Sequence, residues 1–371
     1  MITRKRDCDL DKLRGLAMVY IMFIHTIFGT GIFNGNIIRI VKSYFLIEMP
    51  VFFFIAGASN YYSKCNSKME FILKRFKRLL IPYYFYAFII IIINSIMPKV
   101  LNFSYKFSFI TWLMPITNLQ QSFSVYFTGA LWFIPIYLFV MIFFPYLKDY
   151  YVKKDKEKSL DIYLPLLYMF LAILLIDLKS MFYINIFIKK ICFYSFFTYL
   201  GLFWNKISNS KNRKKINKIL FFVLIISLVG YIFLMFTNYF YIDMQINKQG
   251  NQGANLAFMV YGIMGISFIG IIYRYIIKIV DFVCRIKIFN WVFKQYKTNT
   301  YTIYLFHMIA LYIVDLIVKS GVISLSNDYV TFIFRIVILI PLSALFGFLF
   351  GFIEHIEFKF IKNIFSKYIL K

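Results

Sequence analysis

Runs of roughly 20 apolar residues recur along this chain almost from end to end, and the short stretches between them hold most of its lysine and arginine. The first run, from Leu13 to about Gly31, follows the basic segment TRKRDCDLDK. That start has the charge of a signal peptide, but no A-x-A-like cleavage site follows, so it reads as an uncleaved first helix. Further runs fall at about 44–62, 79–97, 129–147, 160–176, 191–204, 219–239, 255–277, 300–318 and 329–352. The sixth is short; begun near Tyr183 instead, it carries Lys189 and Lys190 into a polar cavity, an arrangement kept for functional or snorkelling lysines. No short-period repeat of the solenoid kind is evident.

The connecting segments sort by charge. KCNSKMEFILKRFKR, KDYYVKKDKEK, NKISNSKNRKKINK and the basic stretch ending at Lys297 all fall on one side of the alternation, which the positive-inside rule makes cytoplasmic. The polar, aromatic segment 98–128 has only two lysines and is placed outside, as a lid or re-entrant element. The Gly- and Asn-containing segment ending near Asn255 is also placed outside. The expectation is an all-α, multi-pass protein of the inner (cytoplasmic) membrane, with about ten transmembrane helices and both termini cytoplasmic. Residues 1–371 read as a single membrane domain with no appended soluble domain.

Composition agrees with this pattern: 61% of residues are hydrophobic, against about 45–50% in soluble domains, and the surplus must face lipid. The formal charge of +26 raises the question of nucleic acid. The basic residues form no extended arm and no recognised nucleic-acid motif, so their partner is the anionic membrane surface. The four cysteines are scattered, without a C-x-x-C pair or a His cluster at metal-ligand spacing. Neither a disulfide framework nor a metal site is expected.

Candidate chemistry begins at LDKLRGLAMVYIMFIH, residues 10–25, because His25 lies near mid-depth of a membrane helix, where a polar ring is costly. Arg14 precedes it by eleven positions, three helical turns plus roughly 20°, so the two share a face with His25 about 16 Å deeper. One face thus offers a guanidinium suited to phosphate or carboxylate and an imidazole that can accept a hydroxyl proton. The plain alternative is an arginine flanking a helix and a histidine bonded to a neighbouring one. Glu48 sits in or at the edge of the second run, either orienting His25 or touching substrate hydroxyls, or else solvated among outer headgroups. His307 and Asp315 share a face of the 300–318 run as a second polar pair, and Arg335 lies some six residues inside the last run, where snorkelling or an anionic acceptor accounts for it. His355, beside Glu354, reads as solvent-facing. The Met and Phe residues at helical spacing read as lipid and packing surface.

These residues occur in stretches that, taken in order, resemble the acyltransferase-3 family of integral membrane O-acyltransferases. DKLRGLAMVYIMFIH resembles its first-helix signature, PVFFFIAGAS its Phe-rich second helix, FILKRFKRLLIPYYFYAF its basic third helix, ALWFIPIYLF its Trp-Phe helix and TNTYTIYLFHMI a late helix carrying Tyr and His. The resemblance implies that His25 and Arg14 are catalytic and that Arg75 and Arg78, with the adjacent Lys74 and Lys77, hold the acyl donor. Taken alone, KRFKR is what any cytoplasmic loop before a helix carries. Glu48, Trp132, Tyr304, His307 and Arg335 become candidates for binding or orienting the acceptor. Ala56 stands where the family has a serine, so no chemistry is assigned there.

The implied activity is transfer of an acetyl or succinyl group from cytoplasmic acyl-CoA to a hydroxyl of a cell-surface polysaccharide, glycolipid or similar acceptor. The expected partners are acyl-CoA, that acceptor, membrane lipid and a separate protein of envelope biosynthesis, with acyl-CoA a substrate and no bound cofactor. The competing reading is a transporter or flippase exporting a glycan or lipid-linked sugar, because buried polar residues in a helical bundle also mark translocation routes.

Overall fold

The computed structural model describes residues 7–29, 44–96, 131–178, 184–210, 212–236, 254–320 and 327–356. Among them every regular element is helical. The helices are α1 (Cys8–Gly29), α2 (Glu48–Tyr61), α3 (Lys68–Ile96), α4 (Phe133–Glu157), α5 (Leu164–Leu178), α6 (Ile184–Gly201), the short α7 (Trp204–Ser208), α8 (Arg213–Phe236), α9 (Leu256–Val283), α10 (Lys287–Thr298), α11 (Thr300–Lys319) and α12 (Asp328–Phe350). A 3-10 turn, Leu160–Tyr163, precedes α5, and another, Gly351–His355, follows α12. The expected outer segment 98–128, most of the loop before Asn255 and both chain ends lie outside the described residues.

Six of these helices, α3, α4, α8, α9, α11 and α12, are long and apolar enough to cross a membrane. Among the described residues the other four expected runs are shorter or more charged. Helix α2 has 14 residues, a rise of about 21 Å, and α5 has 15. Helix α6 carries Lys189 and Lys190, and α1 opens on Asp9, Asp11, Lys12 and Arg14. The chain is a multi-pass helical membrane protein, and α8 shows the lipid-facing pattern most openly, with Phe221, Phe222, Val229 and Phe233 all exposed.

Helix ends follow local chemistry. Asn255 and Asn327 cap α9 and α12, their side chains accepting from the N–H groups of Phe258 (2.8 Å) and Val330 (2.9 Å). Helix α3 begins eleven residues before the apolar run that announces it. Ser67 Oγ accepts from the Glu70 N–H (3.1 Å) while the Glu70 carboxylate accepts from the Asn66 N–H (2.7 Å), a variant of the capping box. The basic stretch KRFKR is therefore helical, as the family resemblance implies, and not the loop its charge alone suggests.

Helix α1 occupies the middle, packed by α2, α9, α10, α11 and α12. The tightest crossing is α2 on α6: a Cβ added at Gly57 would run into the Thr198 carbonyl, and one at Gly201 into the carbonyl of Phe54. Two small residues thus let the two backbones touch, as small residues do at membrane-helix interfaces. Gly57→Ala is expected to cost at least the 1–3 kcal/mol, roughly, of an overpacked core, because its neighbour is backbone that cannot swing aside. Thermal unfolding in detergent, followed by tryptophan fluorescence, should show the loss; an unchanged midpoint would refute the close crossing.

Candidate active site

The site is built on the shared face of α1. Near its start Arg14 donates from Nη2 to the Lys297 carbonyl (2.8 Å) and pairs with Asp11 (2.9 Å), which ties α1 to the end of α10. Two more guanidiniums arrive from α3. Arg75 donates to Ser63 Oγ (3.2 Å) and lies over the Phe71 ring, and its buried Nε has no hydrogen-bond partner. Arg78 reaches Glu354 at 3.5 Å. Arg14, Arg75 and Arg78 line one narrow cavity of about 90 Å³, together with Ser59, Tyr301 and Tyr304. Arg14 and Arg78 each also face a carboxylate, Asp11 and Glu354, and guanidiniums are the cations that fit the bidentate geometry of phosphate.

The histidines meet deeper in the bundle. His25 on α1 and His307 on α11 stand with ring centroids 4.7 Å apart. His307 is completely buried. Its Nδ1 is hydrogen bonded to the Tyr304 carbonyl, which can only accept, so that nitrogen carries the proton. Nε2 is left as a lone-pair nitrogen, enclosed and without a hydrogen-bond partner. His25 is the less enclosed of the two rings. The histidines of the two sequence-predicted polar sites therefore meet, while Asp315 of the second turns to another partner.

Other expected residues fall at varying distances from this centre. Glu48 is the first residue of α2, its Oε2 buried without a partner and within electrostatic reach of Tyr20, Tyr194 and Tyr304. The residue as a whole is half-buried. Trp132, at the start of α4, packs on Tyr194 (5.9 Å) with the Lys190 ammonium 5.5 Å from its ring. Arg335 pairs with Asp315 at 3.0 Å, both buried, so α11 and α12 are joined by a charge pair instead of presenting Arg335 to an acceptor. Removing one member of such a pair typically costs about 3–5 kcal/mol. Lys74 is exposed and pairs with Glu70 at 2.6 Å, and neither it nor Lys77 lines the arginine cavity. His355 is exposed as expected.

Two residues were not foreseen. Glu354 is fully buried: besides meeting Arg78 it accepts the Thr302 N–H at 2.6 Å, which joins the end of α12 to the start of α11 and to α3. A carboxylate at a basic chain end was the available signal. Ser59 presents an unpartnered hydroxyl to the arginine cavity. It lies one turn beyond Ala56, and the i, i+3 spacing that puts both on one face was readable.

The central helix α1 thus carries Arg14 at one end and His25 further along, with Arg75 and Arg78 of α3 meeting Arg14 at one cavity. The sequence pattern of the acyltransferase-3 family, described as an acyltransferase domain, matches residues 9–352. The chain belongs to that family, and its class is acyl transfer by a multi-pass helical membrane protein. Comparison with curated proteins and with solved structures found no match.

Proposed function

We propose that the protein moves an acyl group, acetyl or succinyl, from acyl-CoA on the cytoplasmic side to a hydroxyl of a cell-envelope carbohydrate or glycolipid. The observation that carries this reading is the convergence of Arg14, Arg75 and Arg78 on one cavity along the helix that bears His25. The phosphates of coenzyme A meet the guanidiniums, and the pantetheine arm runs past Tyr304 toward His25. His25 takes the proton of the acceptor hydroxyl as its oxygen attacks the thioester carbonyl. The tetrahedral intermediate collapses, the C–S bond breaks, and the thiolate leaves with the proton returned by the imidazolium. His307, held in one tautomer by the Tyr304 carbonyl, packs its ring against His25 and limits how that ring can turn.

The purified protein, reconstituted and given radiolabelled acetyl-CoA or succinyl-CoA with a panel of sugar alcohols, is expected to form a labelled ester and release free thiol. A transporter would bind or move the glycan with neither product, and that result would overturn the proposal.

Basic segments around Lys64, Lys153, Lys214 and Lys287, together with both termini, are assigned to the cytoplasm within a ten-span topology. Single cysteines placed there are expected to resist an impermeant maleimide in intact cells and to react after permeabilisation. Labelling from outside at any one of them would break the assignment.

A further inference from the structure

A second cavity lies beside the first and nothing in the reaction above uses it. It measures about 780 Å³ and is walled by α1, α2, α8 and α9. Its shape follows from the helices: the lining runs from Leu13 to Phe23 on α1 and from Tyr261 to Ile276 on α9, rises of about 15 and 22 Å. It is therefore a slot parallel to the helix axes. Ala17 and Ile55 line both this slot and the arginine cavity, so the two share a wall.

The slot is graded along its length. The end near the start of α1 is hydrocarbon only, with Leu13, Leu16 and Ile276, and Leu224 of α8 adds to the apolar wall along its middle. The opposite end carries Tyr20, Tyr44, Tyr261 and Glu48. There Tyr20 donates to the Phe45 carbonyl (2.6 Å), Tyr261 donates to the Tyr44 carbonyl, and Glu48 Oε2 is buried without any partner. A buried carboxylate oxygen with no donor is costly, and a ligand hydroxyl would relieve it. A long apolar slot with a hydroxyl-accepting rim is complementary to a molecule with a hydrocarbon tail and a hydroxylated head.

We infer that this slot binds the hydrocarbon tail of a lipid-linked carbohydrate acceptor, with its sugar at the rim formed by Glu48, Tyr20 and Tyr261. The inference rests on the acyl-transfer reading for what then happens to the sugar, and on the slot alone for binding. Glu48 accepts from one sugar hydroxyl and so turns another toward the neighbouring site. The tail anchors the acceptor in the slot, leaving the arginine cavity to the donor.

The test uses the full-length protein in phosphatidylcholine nanodiscs and dodecyl glucoside carrying a diazirine at the end of its tail. Illumination is expected to label α1, α8 and α9 at the slot, with competition by unlabelled dodecyl glucoside and none by free glucose. Leu16→Trp and Leu224→Trp, made separately in case one folds poorly, fill the slot from two different helices. Each is expected to lower that labelling, and acyl transfer to dodecyl glucoside, by about tenfold or more, the scale of a few lost buried methylenes. Transfer to methyl glucoside should be slow in the wild type and unchanged in both variants. Labelling spread evenly over the lipid face of α8, at Phe222 and Phe233, would mean ordinary bilayer lipid and overturn the inference. Equal use of methyl and dodecyl glucoside would do the same. Transfer to neither glucoside, with slot labelling intact, would instead count against the acyl-transfer reading and leave the tail site standing.

Discussion

His25→Ala is expected to lower acyl transfer by about 10²–10⁴-fold while leaving donor affinity and membrane insertion intact, because a general base acts in the transition state and not in holding the thioester. The geometry sharpens this expectation. His25 is the less enclosed member of a histidine pair whose other ring is completely buried, with its Nδ1 proton committed to the Tyr304 carbonyl. Gln at position 25 keeps hydrogen bonding but has no basic nitrogen, so it should not rescue. His307→Gln keeps an acceptor near His25 and is expected to cost less than His25→Ala, with the loss in kcat rather than in the KM for acyl-CoA. Single-turnover transfer from labelled acyl-CoA, with equilibrium binding measured on the same preparations, separates these effects. A His25→Ala enzyme that kept more than about a tenth of wild-type turnover would exclude general-base catalysis at this position.

What could be read from the sequence was what one helix holds by itself. Arg14 and His25 share a face because they are eleven positions apart on α1, and no other part of the chain is needed to see it. The runs that became α3, α4, α8, α9, α11 and α12 were evident because sustained apolarity has few other uses. Local polar signals were harder. By charge alone the basic residues before Leu79 read as loop and only the family resemblance put them on the third helix, although Ser67 and Glu70 stand at capping-box spacing. Helix α10 was likewise read as a basic connection. It buries Phe293 and Tyr296 while carrying Lys287, Lys294 and Lys297, and so packs against α1 and α12 beside the arginine cavity.

Contacts between distant parts of the chain left no local trace. Arg78 and Glu354 are 276 positions apart, and only folding shows that a carboxylate near the chain end meets the third arginine. The joining of His25 to His307 is of the same kind, since each helix offers a plausible site alone. Arg335 looked available to an acceptor because a single helix cannot reveal that Asp315 on its neighbour pairs with it.

The arginines provide the second large effect, because three of them face one cavity of about 90 Å³ while the adjacent lysines do not. A charge-assisted bond to phosphate contributes about 1.5–3 kcal/mol, so losing one guanidinium should weaken donor binding roughly 10- to 100-fold. Arg75→Ala and Arg78→Ala are expected to raise the KM for acyl-CoA more than they lower turnover. Arg75 should be the cleaner case, since its local contacts are to Ser63 and the Phe71 ring and its Nε is unpartnered. Arg78→Ala also leaves Glu354 without a counter-cation in a fully buried position, so it should lose stability as well as affinity. Arg14→Ala removes the bond to the Lys297 carbonyl that ties α1 to α10, and a fall in kcat should accompany its loss of affinity because His25 rides on the same helix. Lys substitutions restore charge without the planar fork and should fall between. Lys74→Ala serves as the internal control: its partner is Glu70, it does not line the cavity, and donor affinity should not change. Titration of labelled acyl-CoA against purified, folded variants reads all seven substitutions together. Unchanged affinity in Arg14, Arg75 and Arg78 variants alike would reduce these residues to topological anchors and remove the donor site from this cavity.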